Sequence, residues 1–543
     1  MAEMSVAEAV VDYLSFKGVR HIFGILAHTS FELGDAIAKR PQLRFIHSQH
    51  EGGAGNMALG YARATKKPAV CLVSAGGGAT NIATAVAQAH KESVPLFVIS
   101  SEIGASSAAK GAWSSWHGID QLRLFQPITK QSVKLERADE LGSVLNSLFR
   151  QTTRGRQGPA YFGLPVDLQS AKLAAPTFPE TLDPIAPSID SRSAEMATDL
   201  LLGANAPVIL AGMGVYWSDA QKELQELAEL LTGPVATSYT AKGVFPENHP
   251  LALGCVGAGG RPYARKFFLE SDLILALGTT FSEGTTLGFS HRVIPDNARI
   301  IQIDIDPEEL GRNYPTRLSM QADVKAALRA IIASLRSKKP SALAALDGSR
   351  VQAIREAKQV WQNDRDQRIA NRGMTKDFVL KTLNELLGGK ETLVTSGMTG
   401  DLLRNVDASC PVVHAGEFRA IGTALATALG VKLGLPDSRV VCVTGDGSFM
   451  MEQQELATAR RHNIPVLIIV LRNNSYGGMK RDQIEHYGGR VIGTELFVPD
   501  LARLAELFGA KGFAVTRPDE VRPVLEKSLK SDELVLVDVK LDD

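Results

Sequence analysis

Three side chains stand out by type and spacing as groups able to do chemistry: Asp446, Asn473 and Glu51. Asp446 lies in Gly445-Asp446-Gly447-Ser448, directly after the apolar run V-V-C-V-T. Asn473 opens Asn473-Asn474-Ser475-Tyr476-Gly477, just after the apolar run V-L-I-I-V-L and Arg472. A helical stretch from Glu452 to Arg461 separates the two runs. Parallel strands joined by a helix end on one edge of a sheet, where open α/β folds bind ligands. The spacing therefore predicts Asp446 and Asn473 side by side. One carboxylate, one amide oxygen and a loop carbonyl suit a hard cation that keeps phosphate oxygens among its ligands. Flanking glycines let backbone amides approach those phosphates. G-D-G alone is also an ordinary tight turn; the full strand–turn–helix–strand–turn order is what points to a metal and phosphates.

Glu51 ends the stretch H-S-Q-H-E and opens a run of small residues, G-G-A-G-N-M-A-L-G-Y-A-R-A-T. A carboxyl group there is expected to be partly desolvated, with a raised pKa that lets it share a proton with a ring nitrogen. Read alone, it is equally a first-turn acid favoured by the helix dipole. Ala415 to Leu433 is another segment rich in Ala and Gly, with Ile421 as an apolar residue that could be one more member of the core.

Taken together these segments resemble thiamine diphosphate enzymes, in the branch containing acetolactate synthase, pyruvate decarboxylase and benzoylformate decarboxylase. The resemblance implies that Asp446 and Asn473 give side-chain ligands to Mg2+ and Ser475 its main-chain carbonyl, with Gly445, Gly447, Ser448, Tyr476 and Gly477 around the diphosphate. The family's usual Leu-Asn-Asn is here Leu471-Arg472-Asn473; the ligand comes from the second of the pair, so the metal site is expected to survive. The stretch at Glu51 is similar to the family motif H-E-x-x-A-x-x-x-A-x-G-Y-A-R, whose glutamate bonds the aminopyrimidine ring and so helps remove the proton from the reactive thiazolium carbon. Ile421 matches the bulky apolar residue that wedges between the cofactor's two rings. S-A-G-G-G-A-T-N (Ser74 to Asn81) resembles the family's S-G-P-G-x-x-N loop, with Gly77 in place of proline. His28, in I-L-A-H-T-S, and His117, in W-S-S-W-H-G-I-D-Q, fall where substrate is faced and are candidates to protonate an intermediate; a structural role for either is as good a reading. The H-T-S loop and the N-S-Y-G turn also resemble cyclohexane-1,2-dione hydrolase.

Positioning these groups requires sheets. Ser5 and Glu8 make a capping-box pair before an amphipathic first helix that Gly18 ends. Strands are expected at His21 to Ile25, Leu43 to His47, Ala69 to Ser74 and Val94 to Ser100. Others fall at Pro207 to Ala211, Leu273 to Leu277, Arg299 to Ile305, Val440 to Val443, Val466 to Leu471 and Leu534 to Val539. Alternation with helices means βαβ units, and so an α/β fold of three doubly wound parallel-sheet domains. A proline-rich linker (Leu173 to Ser191) and a charged helical connector (Arg350 to Arg372) separate them. In family order these are an N-terminal pyrimidine-binding domain (1–172), a central domain (192–338) and a C-terminal diphosphate-binding domain (372–543). The central A-G-M-G-V turn (Ala211 to Val215) and Asp304-Ile305-Asp306 follow strands as in dinucleotide-binding folds; several relatives hold FAD there, and FAD is left open.

Composition narrows the partners. The chain has 543 residues, with 59 Lys+Arg against 59 Asp+Glu, so no global field recruits nucleic acid or an anionic membrane. Cys71, Cys255, Cys410 and Cys442 show no metal or disulfide spacing, which fits a reducing, cytoplasmic setting. No run of 18 apolar residues suits a membrane span. The expectation is a carboligase or lyase dependent on thiamine diphosphate and Mg2+, acetolactate-synthase-like, acting on a small 2-oxo acid or related carbonyl compound. The alternatives are a simple 2-oxo acid decarboxylase or C–C lyase, including one for cyclic 1,2-diketone or 2-hydroxyacyl substrates, and a non-catalytic cofactor-binding module. The resemblance implies a homodimer or homotetramer with shared active sites.

Overall fold

A computed structural model describes residues 3–175, 178, 186–338, 348–370, 373–396 and 412–542. The first helix, Val6–Phe16, starts where its sequence says: Ser5 Oγ accepts from the Glu8 amide at 3.1 Å, and Glu8 Oε2 accepts from the Ser5 amide at 2.9 Å. Its apolar face buries Val6, Val10, Tyr13 and Leu14.

The preceding strand β1 (Glu3–Ser5) stands apart from the first large sheet. That sheet contains β2 (His21–Gly24), β3 (Arg44–His47), β4 (Ala69–Val73), β5 (Leu96–Glu102), β6 (Gln131–Lys134) and β7 (Ala160–Pro165). Its order is β3-β2-β4-β5-β7-β6, parallel throughout. Next comes β8 (Lys172–Ala174), which pairs antiparallel with β1. The start of the expected proline-rich linker is therefore a strand. Pro176, Pro179, Pro184 and Cys410 lie outside the described residues.

The second sheet comprises β9 (Pro207–Ala211), β10 (Val235–Thr237), β11 (Ala252–Cys255), β12 (Leu273–Leu277), β13 (Arg299–Asp304) and β14 (Leu318–Gln321). Its order, β11-β10-β9-β12-β13-β14, is the dinucleotide-fold order. The third holds β15 (Glu391–Ser396), β16 (Val412–Ala415), β17 (Arg439–Gly445), β18 (Leu467–Arg472), β19 (Lys511–Val515) and β20 (Val535–Lys540). Its order, β16-β15-β17-β18-β20-β19, repeats that of the first sheet. Three doubly wound parallel sheets are thus present, as the alternation of strands and helices predicts.

The cores are not partitioned three ways. The central sheet has its own cluster, built on Ile209, Leu275, Ile301 and their neighbours. The first and third sheets share one, running from Phe23 and Val98 to Cys442 and Ile468. The shared core exists because two helices of small residues, Glu51–Thr65 and Ala424–Gly434, lie backbone to backbone. Gly60 backs onto the Thr427 carbonyl and Gly430 onto the Met57 carbonyl, with no room for a β-carbon at either. Small side chains at a crossing permit this approach, and apolar burial stabilises it. Cys71, Cys255 and Cys442 are buried free thiols, inert by position. Among the described residues no helix is long and apolar enough to cross a membrane.

Candidate active site

β17 and β18 pair in register, Gly445 opposite Leu471, so the chain leaves both strands at one edge. Asp446, 2% exposed, turns back onto the second turn. Its Oδ2 accepts from the amides of Asn473 (3.1 Å) and Asn474 (2.6 Å), and its Oδ1 accepts from the Gly447 amide at 2.9 Å. Burial raises its pKa, and the three amide bonds oppose that rise. Asn473 Oδ1 accepts from the Ser475 amide at 3.2 Å. The turn is braced from outside: the Tyr476 amide donates to Thr494 O (2.8 Å) and the Leu496 amide to Asn474 O (2.8 Å). The structure therefore brings Asp446, Asn473 and Ser475 together. Among the described residues no cluster of three His, Cys, Asp or Glu could hold a metal ion; this set offers one carboxylate, one amide and backbone carbonyls.

The Tyr476 ring lies over Gly447, where a β-carbon would come within 2.6 Å of its Cε1. Gly447→Ala must push that ring out of the turn. We expect it to loosen the 473–477 turn, with amide exchange there faster by roughly 10-fold than in the parent protein; hydrogen exchange on the two proteins checks this.

Ser448 ties this turn to the Ile421 segment, its Oγ accepting from the Gly422 amide at 2.9 Å. Ile421 is half-buried and belongs to none of the apolar clusters, unlike its buried neighbours Ala424 and Leu425. A core role for it is thereby disfavoured. Glu452 caps the helix that follows, accepting from the Leu425 (2.9 Å) and Ala426 (3.0 Å) amides. The helix expected from Glu452 to Arg461 instead begins at Glu455, after a short helical turn at Asp446–Met450. Glu452's carboxyl, fully enclosed, is pushed up to about 8 from the ordinary 4.5, chiefly by desolvation. A folded-state value above the unfolded one favours the fold most at low pH: the contribution is whole below about 4.5 and is lost as pH rises from there to about 8. The thermal unfolding midpoint of the parent should therefore decline between about pH 5 and 8 more steeply than that of Glu452→Gln, with the two running parallel above that range.

The other half lies on the first sheet. Glu51 is the first residue of the helix Glu51–Thr65 and is 9% exposed. Its Oε2 accepts from Asn81 Nδ2 at 2.9 Å. Asn81 is a partner that sequence reasoning passed over, although the S-A-G-G-G-A-T-N stretch contains it. His28 opens a short 3-10 turn after β2, exposed, its ring 5.1 Å from that of Phe31. The neighbouring Thr29 Oγ1 accepts from the Ala75 amide at 3.3 Å. His117 is also exposed and backs onto Gly76, whose amide donates to Gln121 Oε1 at 2.5 Å. The loops of both histidines and Glu51 thus share the carboxyl edge of one sheet. The two halves of the chain are joined by Glu455, whose carboxylate accepts from the amides of Gln49 and His50.

Two observations bear on whether a bound group fits. Thr423 Oγ1 and Thr494 Oγ1 are buried and find no hydrogen-bond partner among the described residues. One lies two residues past Ile421 and the other braces Tyr476. Buried hydroxyls of this kind are normally satisfied, by protein, water or ligand. Oxygen atoms at 446, 473 and 475 are of the chemical kind that a hard cation takes as ligands. The residues fit a metal-bound diphosphate.

A doubly wound fold with its candidate groups on strand ends defines a ligand-binding α/β enzyme class, and comparison with known proteins narrows it. The chain matches the thiamine pyrophosphate enzyme N-terminal TPP binding domain over residues 4–124, the central domain over 194–331 and the C-terminal TPP binding domain over 398–539. It is 32% identical to a "Probable acetolactate synthase large subunit" of Methanocaldococcus jannaschii, across 99% of this chain and 92% of that one. Similarity is comparable to the acetolactate synthase large subunit of Haemophilus influenzae (31%; 100% and 95% covered) and to acetolactate synthase isozyme 3 large subunit of Escherichia coli (30%; 100% and 96%). The chain belongs to the thiamine pyrophosphate enzyme family.

Proposed function

We propose that this enzyme is an acetolactate-synthase-like carboligase or lyase, dependent on thiamine diphosphate and Mg2+, acting on a 2-oxo acid or related carbonyl compound. The observation that supports this most is the bonding of Asp446 to the Asn473–Asn474 turn across two adjacent strand ends. When bound, thiamine diphosphate supplies a nucleophilic carbon and an electron sink for bonds beside a carbonyl. This chain's residues supply the rest. Asp446, Asn473 and the Ser475 carbonyl would hold Mg2+, with Gly445, Gly447, Ser448, Tyr476 and Gly477 forming the diphosphate turn. Ile421 would hold the bent cofactor shape. Glu51, oriented by Asn81, would carry the proton at the aminopyrimidine ring.

His28 and His117 would face substrate. In the loop after β2 this chain has an exposed imidazole, His28, and that favours a second reading as a decarboxylase or C–C lyase with a protonating histidine. The units 1–172, 192–338 and 372–543 would be the pyrimidine-binding, central and diphosphate-binding domains. A homodimer or homotetramer is supported by Trp113 and Trp116, 94% and 91% exposed beside His117, and by Phe497, 91% exposed near the metal turn. At the central A-G-M-G-V turn the Gly214 amide donates to Gly278 O at 3.0 Å, chain against chain. Those glycines are accounted for without a nucleotide, and a flavin spectrum of the purified protein decides on FAD.

The deciding experiment loads the protein with thiamine diphosphate and Mg2+ and offers pyruvate, longer 2-oxo acids and cyclic 1,2-diketones, with product analysis. A coupled acyloin-type product supports the carboligase, and release of an aldehyde alone supports the second reading. Binding with no turnover of any carbonyl compound would favour a non-catalytic module.

A further inference from the structure

Glu455 begins the helix Glu455–His462 of the third sheet, yet its carboxylate serves the first. It is completely buried. Oε1 accepts from the His50 amide at 3.1 Å, both oxygens lie 3.3 Å from the Gln49 amide, and Oε2 accepts from Thr458 Oγ1 at 2.7 Å. Gln49 and His50 are the two residues before Glu51. The same helix holds the strand that leads there: His462 Nε2 accepts from the His47 amide at 3.0 Å, and its carbonyl accepts from Arg44 at 2.7 Å. Gly53, two residues past Glu51, packs directly on the Glu455 carboxylate and leaves no space for a β-carbon. Burial raises the Glu455 pKa, while its bonds to Thr458, Gln49 and His50 oppose the rise. A buried carboxylate with donors on both oxygens holds them by charge-assisted bonds, roughly twice as strong as neutral ones.

We infer that Glu455 is a positioning residue for Glu51, a claim that rests on reading Glu51 as the proton-carrying group. The carboxylate fixes the link 48–50 between β3 and the helix, and with it the direction in which Glu51 projects. The segment that bears Asp446 at its start thus sets, nine residues later, the geometry of the acid on the other sheet. Loss of the clamp lets the link shift without removing the helix, which Gly60 and Gly430 continue to anchor.

The test has two readouts on two variants. In ligand-free protein, Glu455→Gln should speed amide exchange across 47–54 by roughly 10-fold or more, with β17 unchanged. Gly53→Ala, which displaces the carboxylate sterically and keeps its charge, should do the same. In the loaded enzyme both should shift the acidic limb of the kcat/KM pH profile, with thiamine diphosphate affinity held within about 3-fold. Unchanged exchange at 47–54 in both variants overturns the proposal. So does faster exchange with an unmoved pH profile, which is the signature of a merely structural contact. A parent protein that takes up no thiamine diphosphate overturns the reading of Glu51 and the proposal with it.

Discussion

Glu51→Gln lowers turnover by roughly 10²–10⁴ and leaves the fold intact. The size follows from what is removed. Gln matches Glu in volume and keeps an oxygen to accept the Asn81 amide, so the contact at 2.9 Å persists. The helix start is retained as well, because Glu455 and His50 hold it from neighbouring positions. What is lost is the capacity to exchange a proton with a ring nitrogen, the contribution of a placed general acid–base group. Steady-state kinetics on the loaded variant, with thermal unfolding alongside, separates chemistry from stability. Parent-like turnover would remove Glu51 from its proposed role.

Asp446→Ala has a different signature: the protein no longer retains thiamine diphosphate in the presence of Mg2+. Loss of even an outer partner of a metal site costs 10–100-fold, so loss of a direct ligand is expected to cost at least about 10²-fold in cofactor affinity. A second effect comes from the backbone. The amides of Asn473, Asn474 and Gly447 all donate to this carboxylate, and without it they lose their partner. Each buried unpaired amide costs about 1–3 kcal/mol, so local loosening of the 473–477 turn is expected as well. Asp446→Asn keeps one acceptor and should fall between the two. Gel filtration followed by assay of retained cofactor reads the result directly.

How much of this was legible in the sequence depends on whether a residue's role is local. The Asp446–Asn473 adjacency was, because strand, helix and strand in one βαβ unit fix which ends share an edge. Glu51 as a helix start was, through its stretch of small residues. Strands buried on both faces, such as Pro207–Ala211 and Leu273–Leu277, announce themselves as apolar runs. Edge strands do not: Gln131–Lys134 is half-buried throughout, and Lys511–Val515 is polar at its start. Ala160–Pro165 is wholly buried, but Gly163 and Pro165 mimic turn residues. The helix boundary at Glu455 was missed because Met450 to Gln454 has helix-forming residues, while the chain there turns to let Glu452 cap another helix. Glu452 and Glu455 themselves had no such signal: they stand three apart around Gln453 and Gln454 and read as a solvated face. Their partners, at 425–426 and 49–50, are known only once the sheets are packed. Asn81 is the same case: its partner Glu51 lies 30 residues away on a separate helix.

On the proposed function, two strand-end turns of the third sheet grip a diphosphate through Mg2+. Calorimetric titration of thiamine diphosphate into the purified protein, with and without Mg2+, tests it most directly. Saturable binding that requires Mg2+ and is abolished in Asp446→Ala is expected. Binding of equal strength without the cation, or unchanged in that variant, would contradict it.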